Sequence, residues 1–265
     1  MERAEPMLNL ADEELTRVDQ LVSQEWVDAA DDSVFAAGTL SGIHTRARHG
    51  WFGAVGDDGV RRILLAKCEE AIFCDGQRFD LGANQYVSTI FPSGYRFLAG
   101  FRLDPWPVWT IRVAGARLER HLLTLAGLRA AAVVYRLLEG ARATAIQLRA
   151  LVAARPETEA RRENAAFRRD VYHGHRRISM RPYGDESRLY LYTSDASLTA
   201  DGVWYYEFDY TADEVQEDLF SPGLLTHPLR AGQAIYFAAS VDDLGDVDIA
   251  ELVAAEAARR GVAPI

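Results

Sequence analysis

After Trp26 the chain alternates short apolar stretches with turn residues, and this spacing predicts strands rather than helices. Ala71–Cys74 and Gln77–Leu81 flank Asp75-Gly76, a pair that tolerates positive φ and so marks a two-residue hairpin. Val108–Val113 and Ala116–Arg120 flank Ala114-Gly115 in the same way, and Ala131–Leu138 and Ala143–Val152 surround Glu139-Gly140. In the last of these, Thr144, Ile146, Leu148, Ala150 and Val152 share one face if the segment is extended. Leu189–Tyr192, Val203–Tyr210 and Ile235–Ser240 are further strands. Many short strands with glycine turns, and no regular exchange of strand and helix, predict a mainly β chain built as an antiparallel sandwich.

Helices are predicted only near the margins. Leu15, Val18 and Val22 recur at helical spacing within residues 12–23, and the acids from Asp12 to Glu14 suit the N-terminal end. Asp248–Arg260 is rich in Ala and Glu, carries Arg259-Arg260 in its last turn and is followed by Gly261, the order of a helix and its C-terminal stop. Arg155–Arg169 is charged and poor in large apolar residues, so it reads as a loop or a surface helix.

Charge narrows the partners. The 265 residues carry a formal net charge of −10. Nucleic acid and anionic membrane surfaces both require a dense positive face, so neither is expected as a partner. A neutral polysaccharide is not penalised. The N-terminus, acidic at Glu2, Glu5 and Asp12–Glu14, lacks the basic start and apolar run of a signal peptide. No apolar run approaches the ~20 residues that span a bilayer. With only two cysteines, Cys68 and Cys74, a reducing cytoplasmic location is the simpler expectation.

Candidate chemistry is sparse. The chain has no G-x-S-x-G elbow, no H-E-x-x-H and no phosphate-cradling glycine loop, and no cofactor is expected. Its 39 acidic residues do not single out a hydrolytic pair. His173 and His175 would share a face on a strand and so suggest a metal, but a polar turn around Gly174 is the preferred reading. Cys68 and Cys74 read as small buried hydrophobes, not metal ligands. Trp106 and Trp109 lie in an extended run held by Pro105 and Pro107. Their indoles either stack on sugar rings, with Arg102 or Asp104 bonding hydroxyls, or fill the sandwich core. Tyr190, Tyr192, Trp204, Tyr205 and Tyr206 carry the same two readings, with core packing the preferred one. Thr45–Gly50 places Arg46, Arg48 and His49 together, either as a cluster for hydroxyls or a carboxylate, or as a solvated loop paired with local acids.

Phe35–Arg46 followed by His49-Gly50 resembles a Y-A-x-G-T-x-x-G-x-x-T-R-R-Y-H-G element. Phe91–Tyr95 is similar to H-P-x-G-Y, and Phe101–Trp109 to F-x-x-D-P-x-P-x-W. Arg162-Glu163-Asn164 resembles the end of T-R-E-N, and Glu217–Gly223 resembles E-D-L-F-x-P-G. Trp26, Lys67 and Glu69-Glu70 also fit. In this order, from about Glu25 to Ser240, the series resembles the N-terminal domain of bacterial and archaeal glycogen debranching enzymes, the amylo-α-1,6-glucosidase family.

The resemblance implies a β-supersandwich of antiparallel sheets with a few short helices. It also implies no catalytic residues here, because in the family these belong to a following α/α-barrel that hydrolyses α-1,6-linked glucose. Residues 1–245 would then be the sandwich domain, and residues 246–265 a helix or linker towards a barrel that this chain does not contain. Expected partners are α-glucan and such a barrel, in cis or in trans. Arg46, His49, Asp104, Trp106 and Trp109 are the expected sugar contacts, with no metal. A purely docking module without sugar affinity is the alternative, and an autonomous glycosidase the third. Several departures weaken sugar contact. Ala29–Val34 stands where the family has T-N-G-x-G-G, Arg48 replaces a Tyr, and Arg155–Thr158 replaces R-D-Y-H. Trp51 and Phe52 are bulkier than usual and would fill a cleft.

Overall fold

The computed structural model describes residues 18–140, 142–184 and 188–265. Helix α1 (Val18–Ser23) is the described end of the helix expected over 12–23, whose earlier residues lie outside the described ones. It leads into a meander of β1 (Glu25–Asp31), β2 (Val34–Thr39), β3 (Gly50–Val55) and β4 (Arg61–Cys74). β5 (Gln77–Asp80) folds back on β4 through Asp75 and Gly76, both at positive φ (50° and 76°), as their turn chemistry requires. β6 (Ala83–Tyr86) and β7 (Thr89–Ser93) form a separate two-stranded ribbon.

A second meander follows: β8 (Leu98–Arg102), β9 (Val108–Val113), β10 (Ala116–Leu125) and β11 (Ala130–Glu139). Ala114 and Gly115 (φ 47° and 77°) make the β9–β10 turn. Glu139-Gly140 is different. The strand after it, β12 (Ala143–Pro156), leaves for the first sheet, because both sides of β11 are already bonded, by β10 and by a later strand.

The chain then alternates between sheets. β13 (Val171–Gly174), β14 (Arg177–Met180) and β15 (Leu189–Thr193) extend the second sheet. β16 (Ser197–Thr199), β17 (Val203–Tyr210), β18 (Val215–Ser221) and β19 (Leu224–Pro228) extend the first. β20 (Ala234–Ser240) inserts between β15 and β11. The first sheet runs β1-β2-β3-β4-β12-β18-β17, with β5, β19 and β16 attached alongside, and the second runs β13-β14-β15-β20-β11-β10-β9-β8. Among the described residues the architecture is mainly β, with antiparallel pairing throughout.

The main core lies between the two sheets. Even-numbered residues of β12, including Ile146, Leu148 and Val152, point into it, as the alternation predicted. Trp51 and Phe52 are both buried there (3% and 0% exposed) and so pack the interior instead of plugging an open cleft. A buried ion pair links the sheets: Arg120 Nη1 on β10 meets Glu70 Oε2 on β4 at 2.7 Å. The guanidinium lies over the rings of Trp109 (4.3 Å) and Trp51 (5.1 Å).

Two smaller clusters flank this core. One gathers Phe35, Ile63, Leu151, Phe208, Tyr210 and Leu219 of the first sheet with Ala47 of the loop before β3. On the far side of the second sheet, helix α2 (Ile249–Arg259) seats Ile249, Val253 and Ala257 on Trp106, Leu123 and Val134. Asp248 caps α2 by accepting from the Ala250 N–H at 2.9 Å, and Gly261 ends it at φ 74°. Arg260 fastens the end of the helix, donating to Asp28 (2.7 Å), Glu256 (2.6 Å) and the Pro105 carbonyl (2.8 Å). Among the described residues no helix is long and apolar enough to cross a membrane.

Candidate functional site

The loop from Thr39 to Gly50 carries two of the expected contact residues, and its shape is set from below. Thr39 Oγ1 donates to the Ile43 carbonyl (2.7 Å), and the indole N–H groups of Trp26 and Trp109 donate to the carbonyls of Thr39 (3.1 Å) and Leu40 (3.0 Å). The buried Lys67 ammonium uses its three donors on Gly42 O (2.8 Å), Ala83 O (2.7 Å) and Asn84 Oδ1 (2.8 Å). Lys67 therefore ties the loop to the ribbon. Burial pulls its pKa down, with Glu69 and Glu70 opposing.

Held this way, the loop brings its cations to acids of its own fold. Arg46 Nε lies 2.7 Å from Glu25 Oε1 and Arg46 Nη1 lies 3.4 Å from Asp213 Oδ1. Arg48 Nη2 meets Glu25 Oε2 at 2.5 Å. His49 is fully buried. Its Nδ1 accepts from the Thr45 N–H (3.2 Å), so the neutral ring carries its proton on Nε2, 3.5 Å from Glu25 Oε1. Burial lowers the His49 pKa to about 4, with Glu25 opposing. His44 stands edge-on to His49 at 5.7 Å, and among the described residues neither of its ring nitrogens has a partner. Burial first, then Lys67, His49 and Arg155, hold it well below the usual histidine range. Of the two readings of this segment, pairing with local acids is the one the distances support.

The 101–109 segment separates its residues. Asp104 is exposed and precedes Pro105 through a cis peptide. Trp109 (1% exposed) faces the core between the sheets, against Trp26 at 5.3 Å and Phe101 at 5.2 Å. Trp106 (3% exposed) faces the other way, beneath α2. Its N–H donates to His121 Nδ1 (3.1 Å), which leaves the His121 Nε2–H to Glu119 (3.1 Å), which in turn meets Arg102 at 3.1 Å. That His121 bond, aided by Arg102, draws the Glu119 pKa to about 2. Neither indole face is open to a sugar, so burial supports core filling for both. The five expected contacts do not converge: Arg46 and His49 share one loop, Trp109 lies in the core bonded to that loop at Leu40, Trp106 lies beneath α2, and Asp104 is exposed.

Two strongly buried groups are not legible in the hydrophobic pattern. Arg155, in a segment whose charge predicts a loop, lies at the end of β12, fully buried and paired through Nε and Nη2 with Glu217 on β18. The Tyr210 hydroxyl donates to the same carboxylate at 2.6 Å. Beside it, Asp218 accepts from Arg162 Nη1 (3.1 Å) and from the N–H groups of Glu163 and Glu207 (2.9 Å each), which pins the irregular crossing of residues 157–170. The E-D dipeptide in the Glu217–Gly223 segment was the available signal, since adjacent acids on a strand must find partners on opposite faces.

His173 and His175 are exposed on and beside the β13–β14 turn, where Arg176 takes φ 52°. Cys68 and Cys74 are buried free thiols, and burial pushes the Cys68 pKa well up. Among the described residues no three His, Cys, Asp or Glu side chains are grouped to hold a metal.

A family model described as glycogen debranching enzyme N terminal matches residues 24–236. No curated protein sequence matches the chain. Among solved structures, the chain is similar to a mutant of the heparan sulfate lyase HepC from Pedobacter heparinus. They share 12% identity and a TM-score of 0.41 over 90% of this chain and 37% of the lyase. A heparinase III is similar at 11% identity and TM-score 0.38, over 83% of this chain and 34% of that one. The chain thus spans about a third of the length of the solved structures it matches.

Proposed function

The chain belongs to the glycogen debranching enzyme N-terminal family, and from that premise we propose that it is a non-catalytic accessory module of a debranching-type glycosidase. It meets α-glucan beside a catalytic barrel or braces that barrel. The match over residues 24–236 carries this reading. The buried free thiols and the acidic net charge support a cytoplasmic setting and a neutral glucan ligand.

Affinity electrophoresis of the purified chain through glycogen tests it, with a dextran gel as control. Glycogen-specific retardation is expected. A second reading, a docking module without sugar affinity, is favoured by the inward-facing Trp106 and Trp109 and by the engagement of Arg46 with Glu25 and Asp213. Unretarded migration together with tight binding to a debranching barrel added in trans would put that reading first. Release of reducing sugar from branched glucan by the chain alone would overturn both.

A further inference from the structure

We propose that the open groove beside the β6–β7 ribbon is where a neutral, polyhydroxylated chain, a stretch of α-glucan, rests on this domain. The inference depends on the reading above that the module meets α-glucan, and it gives that contact a place other than the buried tryptophans. The groove holds about 510 Å³ and is lined by Val87 at the ribbon tip, Arg162 of the crossing segment, and Asp209, Thr211, Glu214 and Gln216 of the β17–β18 hairpin. Its size lies in the range of small-ligand sites, and its open form suits a polymer that passes through.

The donors and acceptors are preset. Arg162 is fixed at one end by Asp218 and at the other by the Gln216 side-chain oxygen, while Asp218 is itself held by two backbone N–H groups. With its oxygen engaged by Arg162, Gln216 keeps its NH₂ group as the donor it can offer. Beside them, Asp209 and Glu214 line the groove with carboxylates that take no hydrogen bond or ion pair from the described residues. A carboxylate accepts two hydroxyl donors side by side, which matches adjacent sugar hydroxyls. Thr211 adds a hydroxyl, and Val87, 68% exposed, offers an apolar wall to a sugar C–H face.

Charge narrows the ligand class. Asp218 neutralises Arg162, so the carboxylates of Asp209 and Glu214 leave the groove negative. Phosphates, sulfates and uronates are repelled, while a neutral polyhydroxylated chain is not.

The test is an amide-resolved NMR titration of the whole chain with maltoheptaose, repeated on the double variant Asp209→Ala/Glu214→Ala. Both residues lie outside the packed interior, so the variant should keep its melting temperature. Expected are shifts confined to residues near Val87, Arg162 and 207–216, and an affinity about tenfold weaker in the variant. Shifts elsewhere, with unchanged affinity in the variant, would overturn the groove and leave the α-glucan reading intact. No shift with maltoheptaose and no retention by glycogen would overturn both. Groove shifts with a tetra-arginine peptide but none with maltoheptaose would make this a cation-binding surface and refute the assignment.

Discussion

Arg120 and Arg155 are both sealed from solvent and both face a glutamate, yet their surroundings differ in kind. Arg120 crosses between the sheets to Glu70 with one short bond, and among the described residues neither Glu70 Oε1 nor Arg120 Nε has a partner within hydrogen-bond geometry. Two indole faces supply the rest of its stabilisation. Arg155 stays within one sheet, and both oxygens of Glu217 are occupied, by the guanidinium, the Tyr210 hydroxyl and the Arg161 N–H (3.4 Å). One cation is stabilised largely by π-faces and the other by a closed hydrogen-bond network. A closed network has more to lose when one member is removed.

The largest effect should follow from Glu217→Gln, which leaves Arg155 buried without its counter-ion. A loss of about 3–5 kcal/mol is expected from urea unfolding. Glu70→Gln should cost about 1–2 kcal/mol less, because Trp109 and Trp51 still face Arg120. Equal losses would show that the indoles contribute nothing. Paired apolar replacement sharpens the contrast. Glu70→Leu/Arg120→Met should return to within about 1 kcal/mol of the parent. Glu217→Leu/Arg155→Met should not, because Tyr210 and Arg161 then lose their acceptor.

Acid should act through the buried histidines. His44 and His49 have folded pKa values below the usual 6.5, and His49 falls to about 4. Between those values the unfolded chain binds protons that the folded chain does not, so stability present above pH 6.5 is lost as pH falls towards 4. Urea midpoints at pH 7.5, 5.5 and 4.5 should decline in that order. His44→Phe, which removes a ring whose pKa is lowered mainly by burial, should flatten the decline, and an unchanged slope would acquit His44. The smallest effect is expected at the exposed cluster: Arg48→Ala should change stability by no more than about 0.5 kcal/mol.

Much of the fold was legible because it is local. Asp75-Gly76, Ala114-Gly115 and the Asp248–Gly261 helix each encode their geometry within a few residues, and each forms where expected. The Glu139-Gly140 crossing was not legible, because whether two successive strands pair depends on which edges are free, and β20 takes the free side of β11 from about a hundred residues away. The site was less legible still. Alternation says that Trp106 and Trp109 point to opposite sides of their segment, but not that α2 covers one of those sides. Arg46 and His49 read as a polar cluster, while their partners Glu25 and Asp213 are distant in sequence.

The place of β20 bears on how the protein is made. As the chain leaves the ribosome, β8–β11 can assemble as one piece and β13–β15 as another, but the strand that joins them emerges only at residues 234–240. Until then two sheet edges, the free sides of β11 and β15, stay unpaired, each able to recruit a neighbouring chain. Synthesis therefore passes through an interval of stickiness that ends with this strand, and the helix that follows shields Trp106 soon after.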